Sequence, residues 1–174
     1  MSYICSHCGK AHEGLPTDWG FKLPDEVHEL GWLGRYRRCR HTSDVCTLDD
    51  RRFFIRCLLP VRLLDADEAL FHWGVWAEVD EATHELYLRS WDEDISSQAR
   101  AQGRLANEIP VAPDSLGLPL EIEFFADSER PRVWLADALQ HALALEQRHG
   151  ISDKRHHDIL AELGHFDGQP EAES

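Results

Sequence analysis

Two apolar segments decide the fold of this chain: RFFIRCLLPV (residues 52–61) and LFHWGVWAEV (residues 70–79). Both are rich in Phe, Val, Ile and Trp, which fit the pleated surface of a sheet well. The acidic break DADE (residues 65–68) separates them. Two such runs close together in sequence predict a pair of antiparallel strands, joined as a hairpin or as part of a meander.

Three more segments downstream are strand candidates: LANEIPV (residues 105–111), LPLEIEFF (residues 118–125) and RVWL (residues 132–135). Pro and Gly residues between them mark turns, because neither residue continues a strand well. The polar stretch from about residue 96 to residue 103 is interpreted as a loop. The sequence therefore predicts a mainly antiparallel sheet of about five strands.

Helical patterns lie before, between and after the predicted strands. Residues 81–91 carry apolar side chains at near-helical spacing, and residues 136–149 form the clearest amphipathic pattern, ended by Gly150. Ser152 is the predicted N-cap of a second C-terminal helix, and residues 24–30 predict a short early helix. Strands followed by helices indicate the α+β class. We therefore expect a C-terminal helical hairpin behind the sheet and an N-terminal segment that resembles a zinc knuckle.

The chain length fits one domain, because 174 residues with 43% hydrophobic content can bury a sizeable core. We expect residues 1–166 to form a single α+β domain, in which residues 1–50 are a Cys/His metal-binding lead-in. The polar tail DGQPEAES (residues 167–174) is expected to be disordered. No apolar run approaches the roughly 20 residues of a membrane span, and no signal-peptide core follows Met1. We therefore expect a cytoplasmic protein with no membrane partner.

The start of the chain, CSHCGKAH (residues 5–12), concentrates Cys and His. Cys5 and Cys8, followed by Gly9, have the spacing of a knuckle whose tight turn points both sulfurs at one ion. The chain has 5 cysteines, an odd number that favours reduced thiols over a disulfide framework. Thiolate-rich tetrahedral sites suit zinc, so we predict a structural zinc site. The alternative is that Cys5 and Cys8 are an unmetallated pair or a redox dithiol. A thioredoxin-like motif should follow a strand and precede a helix, and the sequence around these residues predicts neither.

A closed tetrahedral zinc site needs two further ligands. The chain offers four candidates for them: His12, Cys39, His41 and Cys46. Cys57 is a poorer candidate, because a free Cys inside an apolar strand is usually a small buried hydrophobe. The residues alone leave the choice among the four open.

Several segments together resemble the bacterial DUF2199 family of uncharacterised proteins over nearly the whole chain: CSHCGKAHEGLPTDW, SDVC, RFFIRCLLPV, FHWGVWAEV, GLPLEIEF and HALALEQRHGIS. The resemblance implies a single bacterial domain and no established activity. It also implies a ligand set, because the family's Cys-x-x-Cys-Gly-x-x-His element and its later Asp-x-Cys match Cys5, Cys8, His12 and Cys46. Cys39 and His41 lie outside that pattern. Cys57 departs from it, since the family pattern has Gly after FIR.

Charge predicts the class of partner. The net charge of −14 repels phosphate backbones and anionic membranes at long range and favours basic partners. Residues 35–56 run against this trend, with seven arginines against three aspartates. Three consecutive acids, Asp92, Glu93 and Asp94, follow Trp91, and an aromatic anchor beside steering charges is typical of protein interfaces. We predict that these four residues contact a basic partner.

Three classes of function follow. The first is a non-catalytic cytoplasmic protein with a structural zinc site that binds a basic protein, in the manner of bacterial immunity proteins and antitoxins. The second is nucleic-acid or nucleotide binding through the zinc knuckle and the Arg-rich window, which the net charge opposes. The third is an uncharacterised hydrolase or transferase, for which the sequence offers no nucleophile, base or phosphate-binding motif. The first class is favoured, no catalytic residue is assigned, and the oligomeric state is left open.

Overall fold

The computed structural model describes residues 15–65, 69–126 and 129–165, together with the backbone of residues 3–4 and 11–12. These residues form a mixed α+β fold, so the expected class is confirmed. The strands are β1 (Tyr3–Ile4), β2 (Ala11–His12), β3 (Asp18–Gly20), β4 (Cys39–His41), β5 (Val45–Leu48), β6 (Arg52–Arg62), β7 (Leu70–Val79), β8 (Ala101–Leu105), β9 (Pro119–Glu123) and β10 (Arg132–Leu135). The helices are α1 (Asp25–Glu29), α2 (Trp32–Arg38), α3 (Glu81–Arg89), α4 (Ala142–His149) and α5 (Asp153–Glu162). The expected tail, residues 167–174, lies outside the described residues.

The long hairpin β6–β7 is the centre of the fold, as the sequence predicts. Its antiparallel register runs from Phe53 opposite Val79 to Arg62 opposite Leu70. Side chains alternate between two faces of a strand, so odd-numbered residues of both strands point to the same side. On that side lies the main core, where Trp73 is fully buried among residues of every barrel strand.

The sheet closes on itself, which the sequence reasoning did not foresee. Strands β7, β8, β9, β10 and β6 follow one another in space, and the pairing of β6 with β7 completes a five-strand barrel. The shortest strand pairing of the barrel joins β10 to β6, which run in parallel and pair at Arg132 and Leu58. Beside this pair, Gln147 of α4 accepts a hydrogen bond from Leu135 N at 2.8 Å and donates one to Val133 O at 2.8 Å. The side-chain amide of Gln147 takes the place of a neighbouring strand, because it provides hydrogen-bond partners for these two backbone groups of β10.

Short strands extend the barrel on two sides. β3 pairs in parallel with residues 72–74 of β7, and the β4–β5 hairpin continues from β6. The outer face of β6 and β7 is therefore covered by a second, smaller core around Phe54 and Trp76, to which Val27 of α1 and Cys46 of β5 contribute. This layer places the β4–β5 hairpin and α2 at one edge of the molecule.

The prediction of a strand at residues 105–111 is wrong, and so is the prediction of a loop up to residue 103. The strand is β8, and most of residues 106–111 are irregular. Gly103, in the segment predicted to be a loop, lies within the strand. A Cβ at Gly103 would lie 2.9 Å from Glu78 O, so the close approach of β8 to β7 requires glycine. The predicted strands at residues 118–125 and 132–135 are confirmed as β9 and β10.

The predicted helices are found, with α4 shorter than its pattern. Asp80 caps α3 by accepting a hydrogen bond from Thr83 N at 2.8 Å, and Ser152 caps α5 by accepting one from Arg155 N at 3.3 Å. Gly150 ends α4 with φ of 82°, a left-handed conformation that suits glycine. Across the described ranges, none of the helices combines the length and the hydrophobicity needed to cross a bilayer.

Candidate metal centre and binding surfaces

Two thiols meet on the β4–β5 hairpin. His41 lies opposite Cys46 and Cys39 lies opposite Leu48, so Cys39 and Cys46 are diagonal neighbours on one face. Their Sγ atoms are 3.3 Å apart. The connecting turn is held by Thr42, whose Oγ1 accepts hydrogen bonds from Asp44 N and Val45 N at 3.2 Å each. The hairpin thus presents a preformed pair of sulfur atoms.

The environment of this pair makes the Cys46 thiol a poor nucleophile. Cys46 is buried, and its burial together with the Cys39 thiol raises the pKa of Cys46. A thiol with a raised pKa stays protonated at neutral pH and is a poor nucleophile, whereas a bound metal ion displaces the proton. Burial also raises the pKa of Cys57, which lies fully inside the barrel core. This position agrees with Cys57 being a core residue.

The predicted ligand set lies only partly within the described residues. Cys5 and Cys8 fall outside them, and His12 is described by its backbone alone. The backbones of β1 and β2 pair in antiparallel fashion, with Tyr3 opposite His12. Cys46 is described, and its thiol neighbour is Cys39. Over the residues whose side chains are described, no group of three or more Cys, His, Asp or Glu is arranged around a point that a metal ion could occupy.

The predicted acidic surface, Trp91, Asp92, Glu93 and Asp94, is exposed just beyond the end of α3. Trp91 is 48% exposed, with its ring centroid 6.0 Å from that of Tyr87. Asp94 accepts a hydrogen bond from Ser96 N at 2.9 Å, and hydrogen bonding to the side chain and then to the backbone of Ser96 lowers the pKa of Asp94. Glu93 Oε2 lies 3.8 Å from Arg89 NH1, within the range of an ion pair. The surface therefore combines a supported aromatic side chain with three exposed carboxylates.

A second exposed surface overlaps the Arg-rich window, for which the sequence leaves nucleic-acid or nucleotide binding open as an alternative. We call it the arginine surface, and it consists of Trp32, Tyr36, Arg37, Arg40 and Arg51. The sequence carries a signal for it, because WLGRYRR (residues 32–38) interleaves aromatic and basic residues. The sequence indicates a role for the arginines in that alternative but none for the two aromatic residues, since exposure of an aromatic side chain depends on tertiary packing.

Two buried histidines, His84 and His156, and the half-buried His141 contact other segments of the chain. His156 Nε2 lies 2.8 Å from Pro16 O, and burial lowers the pKa of His156. His84 packs against the ring of Phe53, and burial lowers its pKa as well. His141 Nε2 lies 2.9 Å from Pro113 O. Each of these contacts joins separate segments of the chain.

Comparison with known proteins gives one match. A protein family described as "Uncharacterized protein conserved in bacteria (DUF2199)" matches residues 4–151. No curated protein and no solved structure matches the chain. The matched range includes the N-terminal Cys residues, the β4–β5 hairpin and the whole barrel.

Proposed function

We propose a function from the geometry of this chain's own residues, because the chain belongs to the DUF2199 family of uncharacterised bacterial proteins. We infer a non-catalytic cytoplasmic protein, stabilised by zinc, that binds a basic protein partner in the manner of immunity proteins and antitoxins. The observation that carries this proposal is the exposed acidic surface at residues 91–94, in a chain of net charge −14.

The geometry of the acidic surface supports protein binding. Trp91 offers apolar area beside three carboxylates, and its contact with Tyr87 limits the side-chain entropy lost on binding. The carboxylates steer an oppositely charged partner and raise the association rate at low salt. The polar contacts of His141 and His156 and the ring packing of His84 further support a non-catalytic role, since these side chains join chain segments.

The zinc proposal includes Cys5, Cys8 and Cys46, with His12 or Cys39 as the fourth ligand. The family pattern favours His12, whereas the 3.3 Å separation of the Cys39 and Cys46 sulfurs favours Cys39. Two thiolates on one tetrahedral zinc ion, each about 2.3 Å from the metal, lie about 3.8 Å apart. A small relaxation of the hairpin reaches this distance, so we choose Cys39 as the fourth ligand. A set of four thiolates leaves no open position for catalysis, so the zinc is structural.

Zinc content per chain tests the ligand choice, with protein purified without a His-tag. We expect one zinc ion per chain, lost in Cys46→Ser and Cys39→Ser and retained in His12→Ala. Cys57→Ser is the matched control, because Cys57 is buried in the barrel core. Absence of zinc from the wild-type protein contradicts the metal site, and its loss in His12→Ala but not in Cys39→Ser returns His12 to the ligand set.

Capture from the native host, followed by association kinetics with the captured protein, tests the partner. We expect a basic protein whose association slows as salt rises. Replacing Asp92, Glu93 and Asp94 by Lys should slow association about 10-fold or more, because steering reverses sign. The control replaces Glu129, Asp137 and Glu162 by Lys, which are exposed and change the net charge equally. Equal effects of both triple variants contradict the proposal, as does small-molecule turnover abolished by a single His or Asp substitution.

A further inference from the structure

The helix α2 buries none of its residues. Trp32 is 73% exposed and Tyr36 is 79% exposed, one helical turn apart, with ring centroids separated by 6.3 Å. Large aromatic side chains are seldom left in water to this extent, and paired ones mark an interaction site. The two rings therefore need a partner that covers flat apolar faces.

Basic side chains lie beside Tyr36. An open groove of about 680 Å³ runs beside α2, with Tyr36 on its wall. Its charged lining is mostly basic, with Arg37, Arg38, Arg40, Arg51 and Arg52 against Asp49 and Asp50. Arg40 Nε lies 4.0 Å from Asp50 Oδ1, at the limit of an ion pair. Over the described residues, the side chains of Arg37 and Arg51 make neither a hydrogen bond nor an ion pair, although Arg51 N donates to Leu48 O at 3.1 Å. The groove thus leaves the guanidinium groups of Arg37 and Arg51 without a carboxylate partner at ion-pair distance in the part of the chain that the structure describes.

The helix is held in place although none of its residues is fully buried. Arg38 donates two hydrogen bonds to the carboxylate of Asp49, with Nε–Oδ1 at 2.8 Å and NH2–Oδ2 at 2.5 Å. Asp49 N also donates to Arg38 O at 2.8 Å. Asp49 and Asp50 have φ of 53° and 51°, as in the tight turns that join paired strands. This bidentate pair fastens the end of α2 to the β5–β6 turn, so the rings and the groove keep one arrangement.

We propose that the arginine surface binds single-stranded nucleic acid, a function beyond the acidic-surface binding proposed above. Bases stack on Trp32 and Tyr36, and phosphates lie against Arg37, Arg40 and Arg51. Every base has a flat π-face, and basic grooves that carry aromatic side chains bind single strands in this way without sequence readout. An extended acidic peptide fits less well, because its backbone would need a long free strand edge, and β4 has only 3 residues.

The net charge of the chain opposes this binding at long range only. At physiological ionic strength the Debye length is about 8 Å, so the charges lining the groove, five arginines against two aspartates, dominate at contact. The acidic remainder of the chain lowers the association rate and restricts binding to ligands that reach the arginine surface. Binding is therefore expected to be modest in strength and sensitive to salt.

Fluorescence anisotropy with short labelled oligouridylate and oligothymidylate tests the proposal, with oligoglutamate as the acidic-peptide probe. Trp32→Ala and Tyr36→Ala should each weaken oligonucleotide binding roughly 5- to 150-fold, as expected for loss of one stacked base. The matched control Trp91→Ala removes an exposed aromatic residue of the acidic surface and should bind like the wild-type chain. Trp32→Phe should restore most of the affinity lost in Trp32→Ala.

Salt dependence separates phosphate contacts from general basicity. Arg37→Gln and Arg51→Gln should each reduce the slope of log affinity against log salt by about 0.7, the value for one single-strand phosphate contact. Arg62→Gln is the control, since Arg62 is exposed at the other end of β6 and should leave the slope unchanged. Tighter binding of oligoglutamate than of both oligonucleotides would overturn the proposal in favour of an acidic peptide. No oligonucleotide binding, or binding unchanged in Trp32→Ala and Tyr36→Ala, would also overturn it.

Discussion

Asn107 is the residue whose substitution tests most directly how the outer layer is attached to the barrel. It is fully buried, and its Oδ1 accepts a hydrogen bond from Trp76 N at 2.8 Å. Its Nδ2 donates to Leu23 O at 2.9 Å and to Asp25 Oδ1 at 2.8 Å. Asp25 Oδ2 in turn accepts from Glu108 N at 2.6 Å. One side chain therefore joins the start of α1 to β7.

The substitution Asn107→Asp preserves the shape of this side chain and removes its donor. The acceptor bond from Trp76 N survives, but the new oxygen faces Leu23 O and the carboxylate of Asp25 at hydrogen-bond distance. Loss of two buried hydrogen bonds, with their acceptors left unsatisfied, costs roughly 2–6 kcal/mol. Two carboxylates this close share one proton, which raises the pKa of the pair and restores one donor in acid. We therefore expect a large loss of stability near neutral pH and a smaller one in mild acid.

Urea unfolding at about pH 7.5 and about pH 5 measures this loss, always relative to the wild-type chain at the same pH. The control is Gln140→Glu, an exposed amide-to-acid change of the same charge, which should stay within about 0.5 kcal/mol of wild type. If Asn107→Asp unfolds at the wild-type midpoint near neutral pH, the network does not anchor α1. A deficit of the same size at both pH values would refute the shared proton.

Two further predictions concern metal removal and acid. Removal of the proposed structural zinc by a chelator should lower the melting temperature by about 10 °C or more. Structural zinc contributes several kcal/mol to stability, and each kcal/mol shifts the melting temperature of a chain of this size by about 2–4 °C. An unchanged melting curve after verified metal removal contradicts this prediction. Burial lowers the pKa of both His84 and His156 in the folded chain, so the unfolded chain binds protons first and stability should fall as pH drops below about 6.5. His84→Met should flatten that dependence in urea unfolding, whereas the control His149→Gln, at an exposed position, should leave it as steep as in wild type.

The sequence predicted well those elements whose signal is local. The hairpin of β6 and β7 follows from two apolar segments joined by a short break, and the start of α5 follows from the hydroxyl of Ser152, which acts within one helical turn. Cys39 and Cys46 were named as candidate ligands because residue type alone identifies a thiol. The exposure of Asp92 was also predictable, since a run of three carboxylates is seldom buried.

Tertiary structure decided what depends on residues far apart in the chain. β8 has weak strand propensity and contains Gly103, yet it forms because β7 and β9 both pair with it. Barrel closure depends on the geometry of β10 and β6 and on the amide of Gln147, none of which has a local signature. The separation of the Cys39 and Cys46 sulfurs depends on strand register. The exposure of Trp32 and Tyr36 depends on how α2 packs against the rest of the fold. Periodicity and capping act over a few residues, whereas register, closure and exposure are set by the packing of the whole chain.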